Sequence, residues 1–486
     1  MNGFRVKPRA WVFWLVCFAL LAAVRLCHSD VLWADEAYGL AGARRVLEGA
    51  ALYRDLWFDK PPLYAWIYLL WGARTGWVLR IAGALFAWLC CWLAARAARA
   101  CFGPREGYLA AAAMAFFLSF DHPVAILSLA PDLLLIPFTL TSVWALAAGK
   151  SWQAGAVAAT GLLANTKALV LLPLVLLWKP EAWKRTLSAI ALTASAVWIL
   201  AWGWQEPVWA WGLAYARDTF LEDPIREGVR RTLNWAGFHA ALVAGAVVFF
   251  SRPHGLRWRL GLWLVLSLGA VCAGARFFPR YYLALLPVLT VVAARGFRLL
   301  ARKWAAIVLL FTLSVPAIRF GVRHVATWSR ERAAMRDLAL FEDCRAAADK
   351  IRALARPGDT LFVWGYRPEL NVLAGLPGAT PFLDSQPLTG VPADRHLRQS
   401  VVAFLPELAR VNRRKLQSTS PTFVADGLGR LNPELAITQY PDLRGWLARY
   451  ELVAETAGTR IYRLSGISAR LGTVDAAPLR DPGPQR

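Results

Sequence analysis

Apolar runs near the roughly 20 residues that a membrane-crossing helix needs recur from Ala10 to about Phe320. No other feature of the chain restricts its fold as strongly. Hydrophobic residues make up 57% of the 486 positions and mean hydropathy is +0.40, more apolar surface than a soluble core of this size requires. After residue 321 the pattern changes to mixed, charged and Pro/Gly-bearing sequence. The expected fold is mainly α: a polytopic membrane helical bundle of about eleven spans over 1–321, then a C-terminal extracytoplasmic α/β domain over 322–466. The tail 467–486 reads as disordered.

The formal charge of +23 does not indicate nucleic acid. The basic residues are dispersed, and many lie in short loops between apolar runs, which is how cytoplasmic loops are marked. Arg5, Lys7 and Arg9 precede the first run and place the N-terminus inside, with that run kept as an anchor rather than cleaved. Spans at about 10–28, 77–98, 106–121, 133–149, 152–166, 168–178, 186–203, 233–251, 260–274, 281–298 and 304–320 then alternate. Basic clusters such as Arg96/Arg99/Arg105, Lys179/Lys184/Arg185 and Arg252/Arg257/Arg259 collect on the inner side.

The same bookkeeping brings Asp35, Glu36, Lys60, Asp121, Asp132, Lys167, Arg276 and Arg280 to one outer face. Ionisable groups at the edge of a bilayer are costly and mark chemistry on a membrane-borne substrate. The outer loop 29–76 carries the densest set. Asp35 and Glu36 open an interfacial helix over about 35–48. Successive helical residues point about 100° apart, so one carboxylate faces a substrate while its neighbour does something else, and either one can also serve the helix start. In Asp59-Lys60-Pro61-Pro62 the prolines keep Lys60 out of a helix. A cation held there suits a phosphate at headgroup level, as it also suits snorkelling to lipid. Asp132 follows Pro131 at a helix start, where a carboxylate is favoured with or without function; its functional reading is a second carboxylate facing Asp35. Lys167 interrupts an apolar hairpin and needs an anionic partner. Arg280 offers bidentate donors to phosphate, Arg276 lies on the same side, and Tyr281 and Tyr282 suit an aromatic belt.

The seven cysteines show neither CxxC nor framework spacing, and no histidine pair has metal-ligand spacing. His28 and His122 near the outer face read as interfacial histidines. No cofactor and no metal site is indicated.

The loop DEAYGLAGARRVLEGAALYRDLWFDKPPL resembles the first outer loop of the polyprenyl-phosphate-dependent glycosyltransferases of the GT-C superfold. It is most similar to the aminoarabinose transferase and protein O-mannosyltransferase group. The resemblance covers about residues 10–320. It includes the acidic pair, Gly49-Ala50-Ala51-Leu52-Tyr53-Arg54-Asp55, Lys60-Pro61-Pro62, Pro131-Asp132, GLLANTK ending at Lys167, and Arg280-Tyr281-Tyr282 with Pro287. It implies transfer of a sugar from an undecaprenyl-phosphate donor to the hydroxyl of a glycolipid, glycan or protein acceptor at the outer face of a bacterial inner membrane. By the same resemblance, Asp35 orients or activates the acceptor, and Lys60 and Arg280 bind the lipid phosphate. Glu36 and Asp132 stand as further catalytic candidates, and Lys167, Arg276 and Tyr281 as further donor-binding ones. The acceptor-recognition segments match no particular subfamily.

In the C-terminal part, a helix is expected over 335–356, strands at 360–364, 422–425 and 460–463, and a short helix at 443–449. Gly365-Tyr366-Arg367-Pro368 reads as a structural turn. A lipid or small-molecule transporter is the second reading. It would place its charges near the bilayer midplane rather than at one rim. A catalytically idle scaffold is the third.

Overall fold

The computed structural model describes residues 10–201, 203, 205–212, 214, 223–300, 302–329, 336–396 and 401–466. The chain forms two compact units, 1–339 and 340–486. The long helix expected to end near 320 runs on to Trp328.

The first unit is helical. Among the described residues two helices are long and apolar enough to cross a membrane, Trp77–Cys101 and Lys303–Trp328. A third crossing is available if Pro224–Phe238 and Ala240–Phe250, bent by 92°, count as one. The remaining apolar runs are shorter pieces, including Ala10–Leu26, Pro131–Ala147 and Thr166–Trp178. The count of about eleven spans read from hydropathy is not confirmed by these lengths. Gly161 and Asn165 interrupt the apolar stretch 152–178, and Pro131 and Pro279 start helical segments, with 3₁₀ turns at Gly161–Leu163, Thr166–Val170 and Pro279–Ala284. All these breaks fall in the segments that carry Asp132, Lys167 and Arg280.

Lipid tails are as apolar as leucine, so helices in a membrane associate through close backbone approach at small residues. The helices Ala240–Phe250 and Leu286–Leu299 meet in this way: a Cβ built on Gly296 would lie 1.8 Å from the Gly245 carbonyl oxygen. Buried arginines tie other pieces together. Arg25, inside the first helix, donates to the carbonyls of Leu118 (3.2 Å) and Ile126 (2.9 Å), giving a buried cation polar partners where water is absent.

The Pro224–Phe238 helix carries Ile225, Val229 and Leu233 exposed at four-residue spacing, beside the exposed Arg226 and Arg230. A right-angled turn from an apolar helix, with an apolar stripe and arginines, is the pattern of a helix lying in the interfacial layer.

The second unit is a small α/β fold. Strands β1 (Leu361–Trp364), β2 (Phe423–Asp426), β3 (Tyr450–Glu455) and β4 (Arg460–Leu464) form one sheet of order β1-β2-β4-β3. β1 and β2 are parallel, so the chain between them crosses over through helices including Pro406–Gln417. The other pairings are antiparallel. Cys344, Ala347, Ala348 and Ile351 of the Arg336–Leu354 helix pack on Leu361, Val363, Phe423, Ala425 and Ile461. Arg367 is buried on Asp343 (2.7 Å) and the Cys344 Sγ (3.1 Å), so the Gly365–Pro368 segment is a structural turn. The strand β3 was not among the sequence expectations. Its burial lacks the alternation that marks a strand.

Gly296→Ala is expected to force the two helices apart and cost about 1–3 kcal/mol, lowering the thermal unfolding midpoint of detergent-solubilised protein. Gly269→Ala, at a helical position with nothing within 4 Å, should be neutral or stabilising by up to about 1 kcal/mol. Equal midpoints for the two variants would contradict the packing argument.

Candidate active site

The loop 29–76 is held by a buried ion pair. Arg80, in the Trp77–Cys101 helix, donates to the carbonyls of His28 (3.0 Å) and Val31 (2.7 Å) and to Glu36 Oε2 (2.9 Å). The Glu36 Oε1 accepts the Trp33 backbone N–H at 3.0 Å. Glu36 is fully buried. Of the two adjacent carboxylates, it is therefore the one that closes the helix start and neutralises Arg80, and it does not line the site. The Ala34–Leu47 helix begins at a fixed place, and Asp35 leaves it in the other direction.

Asp35 forms an ion pair with Arg280. The Arg280 Nε lies 3.9 Å from Asp132 Oδ2, and Asp132 Oδ1 accepts from Lys167 Nζ at 2.8 Å and from Asn165 Nδ2 at 3.2 Å. Lys167 Nζ also sits 3.4 Å from the centroid of the Tyr281 ring. Four charges of alternating sign, Asp35, Arg280, Asp132 and Lys167, thus run in sequence across four segments of the first unit. Each local backbone explains its part. Asn165 Oδ1 accepts from the Lys167 N–H at 2.9 Å, turning the chain into a 3₁₀ segment. Pro131 starts the short helix that carries Asp132. The Pro279–Ala284 3₁₀ helix presents Arg280 and Tyr281. Asp132 and Lys167 also line a small opening whose other walls are mostly apolar, among them Leu135, Ile136, Leu171, Leu283 and Pro287.

Lys60 occupies a neighbouring corner. It is partly exposed and paired with Asp59; its ammonium is 5.9 Å from the Tyr38 ring centroid. The Tyr53 hydroxyl donates to the Lys60 carbonyl at 2.8 Å, which gives the Gly49–Asp55 element a structural task. Asp55 is spent on that turn: the Arg54 guanidinium and the Ala51 N–H hold its carboxyl down at about 2. Arg276 is fully buried, so it does not present its guanidinium at the surface as a donor-binding residue would.

Sequence reasoning did not single out Tyr64. It is fully buried, and burial pushes its phenol well above the ordinary range, with Asp35 adding to the shift and Arg280 opposing it. That places the ring within electrostatic reach of the Asp35–Arg280 pair. It lies in a column of Tyr38, Phe58 and Tyr64. The approach requires Gly39, since a Cβ there would be 2.5 Å from the Tyr64 carbonyl oxygen. The paired glycines of Tyr38-Gly39-Leu40-Ala41-Gly42 are the signal that could have pointed to it. Also missed were the buried His28–His324 contact of 2.9 Å and the Asp121–His239 pair of 3.2 Å, because their partners are far apart in the chain. Among the described residues no group of three or more His, Cys, Asp or Glu is placed to hold a metal ion.

Residues 59–211, from Asp59-Lys60-Pro61-Pro62 through Asp132 and Lys167, match the family described as dolichyl-phosphate-mannose-protein mannosyltransferase. ArnT from Cupriavidus metallidurans bound to undecaprenyl phosphate superposes with a TM-score of 0.61 at 15% identity, over 94% of this chain and 98% of its own. This chain shares the fold of that ArnT. The resemblance carried by the DE…KPP loop therefore holds at the level of architecture. The apo state of the same ArnT superposes with a TM-score of 0.53 at 15% identity, over 93% of this chain and 98% of its own. No curated protein matches the chain by sequence.

The two adjacent carboxylates should separate cleanly by experiment. Glu36→Gln leaves Arg80 buried without its counter-charge and is expected to cost about 3–5 kcal/mol, seen as a large drop in the unfolding midpoint. Asp35→Asn, at a partly exposed pair, should lose much less. Comparable losses would place the two side chains in equivalent environments and contradict the assignment.

Proposed function

We propose that this protein is an inverting glycosyltransferase of a bacterial inner membrane. It moves a sugar from an undecaprenyl- or other polyprenyl-phosphate donor to an acceptor hydroxyl on a glycolipid, glycan or protein at the extracytoplasmic rim. The observation that carries this reading is the charge sequence Asp35–Arg280–Asp132–Lys167 beside an apolar opening. A lipid-linked phosphosugar has the same division, an isoprenoid chain joined to an anionic head. Within a mostly buried cluster, guanidinium and ammonium groups neutralise a phosphate far better than they do in water.

In this mechanism Asp35 aims the acceptor hydroxyl at the anomeric carbon and takes up its proton. The new bond forms between the acceptor oxygen and that carbon as the bond to the phosphate oxygen breaks. Single displacement from the face opposite the phosphate inverts the anomeric carbon, through an oxocarbenium-like transition state. Arg280 and Lys60 take the charge that grows on the leaving polyprenyl phosphate, with Lys167 and Tyr281 completing the donor side. The planar guanidinium of Arg280 has donors enough to bind Asp35 and a phosphate oxygen together, which couples acceptor placement to donor binding. Asp132 holds the two cations in register rather than acting as a base. No cofactor enters the scheme. The sequence gathers these charges at one rim rather than near the bilayer midplane, which favours this reading over a transporter.

Asp35→Asn is expected to keep folding and membrane insertion while lowering transfer by at least about 10²-fold. Mass profiling of envelope glycolipids and glycoproteins from a deletion strain identifies the transferred sugar as a missing mass. Complementation with wild type should restore that mass and Asp35→Asn should not. Restoration by the variant would remove Asp35 from the chemistry. Lys60→Ala should chiefly raise the donor concentration needed for half-maximal transfer, and an unchanged value would count against its phosphate role.

A further inference from the structure

Behind Arg280 stands a column of aromatic rings that the mechanism above does not use. Tyr282 is two residues from Arg280 in the same 3₁₀ helix. Its ring stacks on Trp235 (5.2 Å, 16°), Trp235 on His239 (4.0 Å, 17°), and His239 on Phe117 (4.7 Å, 23°). Both ends are fixed. The Tyr282 hydroxyl is hydrogen-bonded to Thr232 Oγ1 at 2.9 Å. The Nδ1 of His239 lies 2.9 Å from the Trp235 carbonyl, which can only accept, so that nitrogen carries a hydrogen. Its Nε2 then faces Asp121 Oδ2 at 3.2 Å. His239 is also the residue at which the Pro224–Phe238 helix gives way to Ala240–Phe250 through the 92° bend.

The same helix grips the segment before Arg280. Arg231 donates to the Arg276 carbonyl at 3.1 Å, and the Phe277 ring lies against Gly228. Ala275 and Phe277 have φ of +47° and +49°, conformations that side-chain-bearing residues adopt only when their surroundings impose them. A 3₁₀ turn has three residues per revolution, so fixing the azimuth of Tyr282 fixes that of Arg280 and Tyr281. We infer that Trp235, with Thr232 and His239, is a positioning element for Arg280: the stacked column from Phe117 to Tyr282 sets the direction in which the arginine meets the donor phosphate. This rests on the donor-phosphate role proposed for Arg280.

The test is binding of undecaprenyl phosphate, as the bare lipid, to the full-length protein in detergent, arranged as a double-mutant cycle. Arg280→Ala should weaken binding about tenfold, a typical loss for one charge-assisted contact. Trp235→Leu, which cannot stack, should weaken it by a similar factor in the wild-type background and by less than about twofold when Arg280 is already alanine, because it acts through that residue. Trp235→Phe, which keeps a ring in the column, should recover most of the affinity. Equal losses from Trp235→Leu with and without Arg280 would overturn the inference, since a general structural defect does not depend on the arginine. An unchanged affinity in Trp235→Leu alongside a weakened Arg280→Ala would overturn it while leaving the proposed phosphate site intact. An unweakened Arg280→Ala would overturn both. If Trp235→Leu does not fold, Thr232→Val decides: it removes only the hydroxyl partner of Tyr282. A severalfold loss confined to the Arg280-containing protein supports the inference, and no loss overturns it.

Discussion

The candidate site depends on charge alternation at the edge of an apolar unit. A carboxylate or guanidinium taken out of water is stable only when paired and hydrogen-bonded. Asp35, Arg280, Asp132 and Lys167 satisfy one another in order, each cation lying against a carboxylate and Asp132 serving two cations. This arrangement explains why so many ionisable groups persist beside apolar helices. It also confers a property that a single ion pair lacks: a change at Lys167 alters the electrostatic balance of Asp35 through Asp132 and Arg280.

The network is precise because its carriers are not long helices. Asp132 sits on a four-residue helix, Lys167 and Arg280 on 3₁₀ turns, and Lys60 before a pair of prolines. Each segment is too short to be stable alone and is fixed by what it packs against. Arg80 fixes the loop that carries Asp35 through three separate acceptors. Tyr53 fixes Lys60 through its carbonyl. Tyr64 fills the space beneath the Asp35–Arg280 pair only because Gly39 leaves room. The loop 29–76 is therefore held at several points along its length.

Much of this was legible in the residues. The DE…KPP loop, Pro131-Asp132, Lys167 and Arg280-Tyr281 were all identified from charges out of place in apolar sequence, and four of them do meet. The helix at the head of the C-terminal unit and three of its strands followed from apolar spacing and turn residues. Other parts were not legible. Asp35 and Glu36 are adjacent and chemically alike, and only the location of Arg80, 44 positions after Glu36, separates the structural carboxylate from the functional candidate. Hydropathy alone does not register where an apolar run turns through a 3₁₀ segment, as at Gly161–Leu163. The Trp235–His239–Phe117 stack was not legible, because Trp235 and His239 flank one bend while Phe117 comes from a distant helix.

What the sequence determined by itself was the kind of molecule: apolar runs require membrane helices, and charges placed beside them require partners, because lipid offers no water to either backbone or side chain. Which charge meets which was decided only by the tertiary structure. Ion pairing falls off within a few ångströms and is strengthened by burial, and both separation and burial are set by how the helices pack rather than by spacing along the chain.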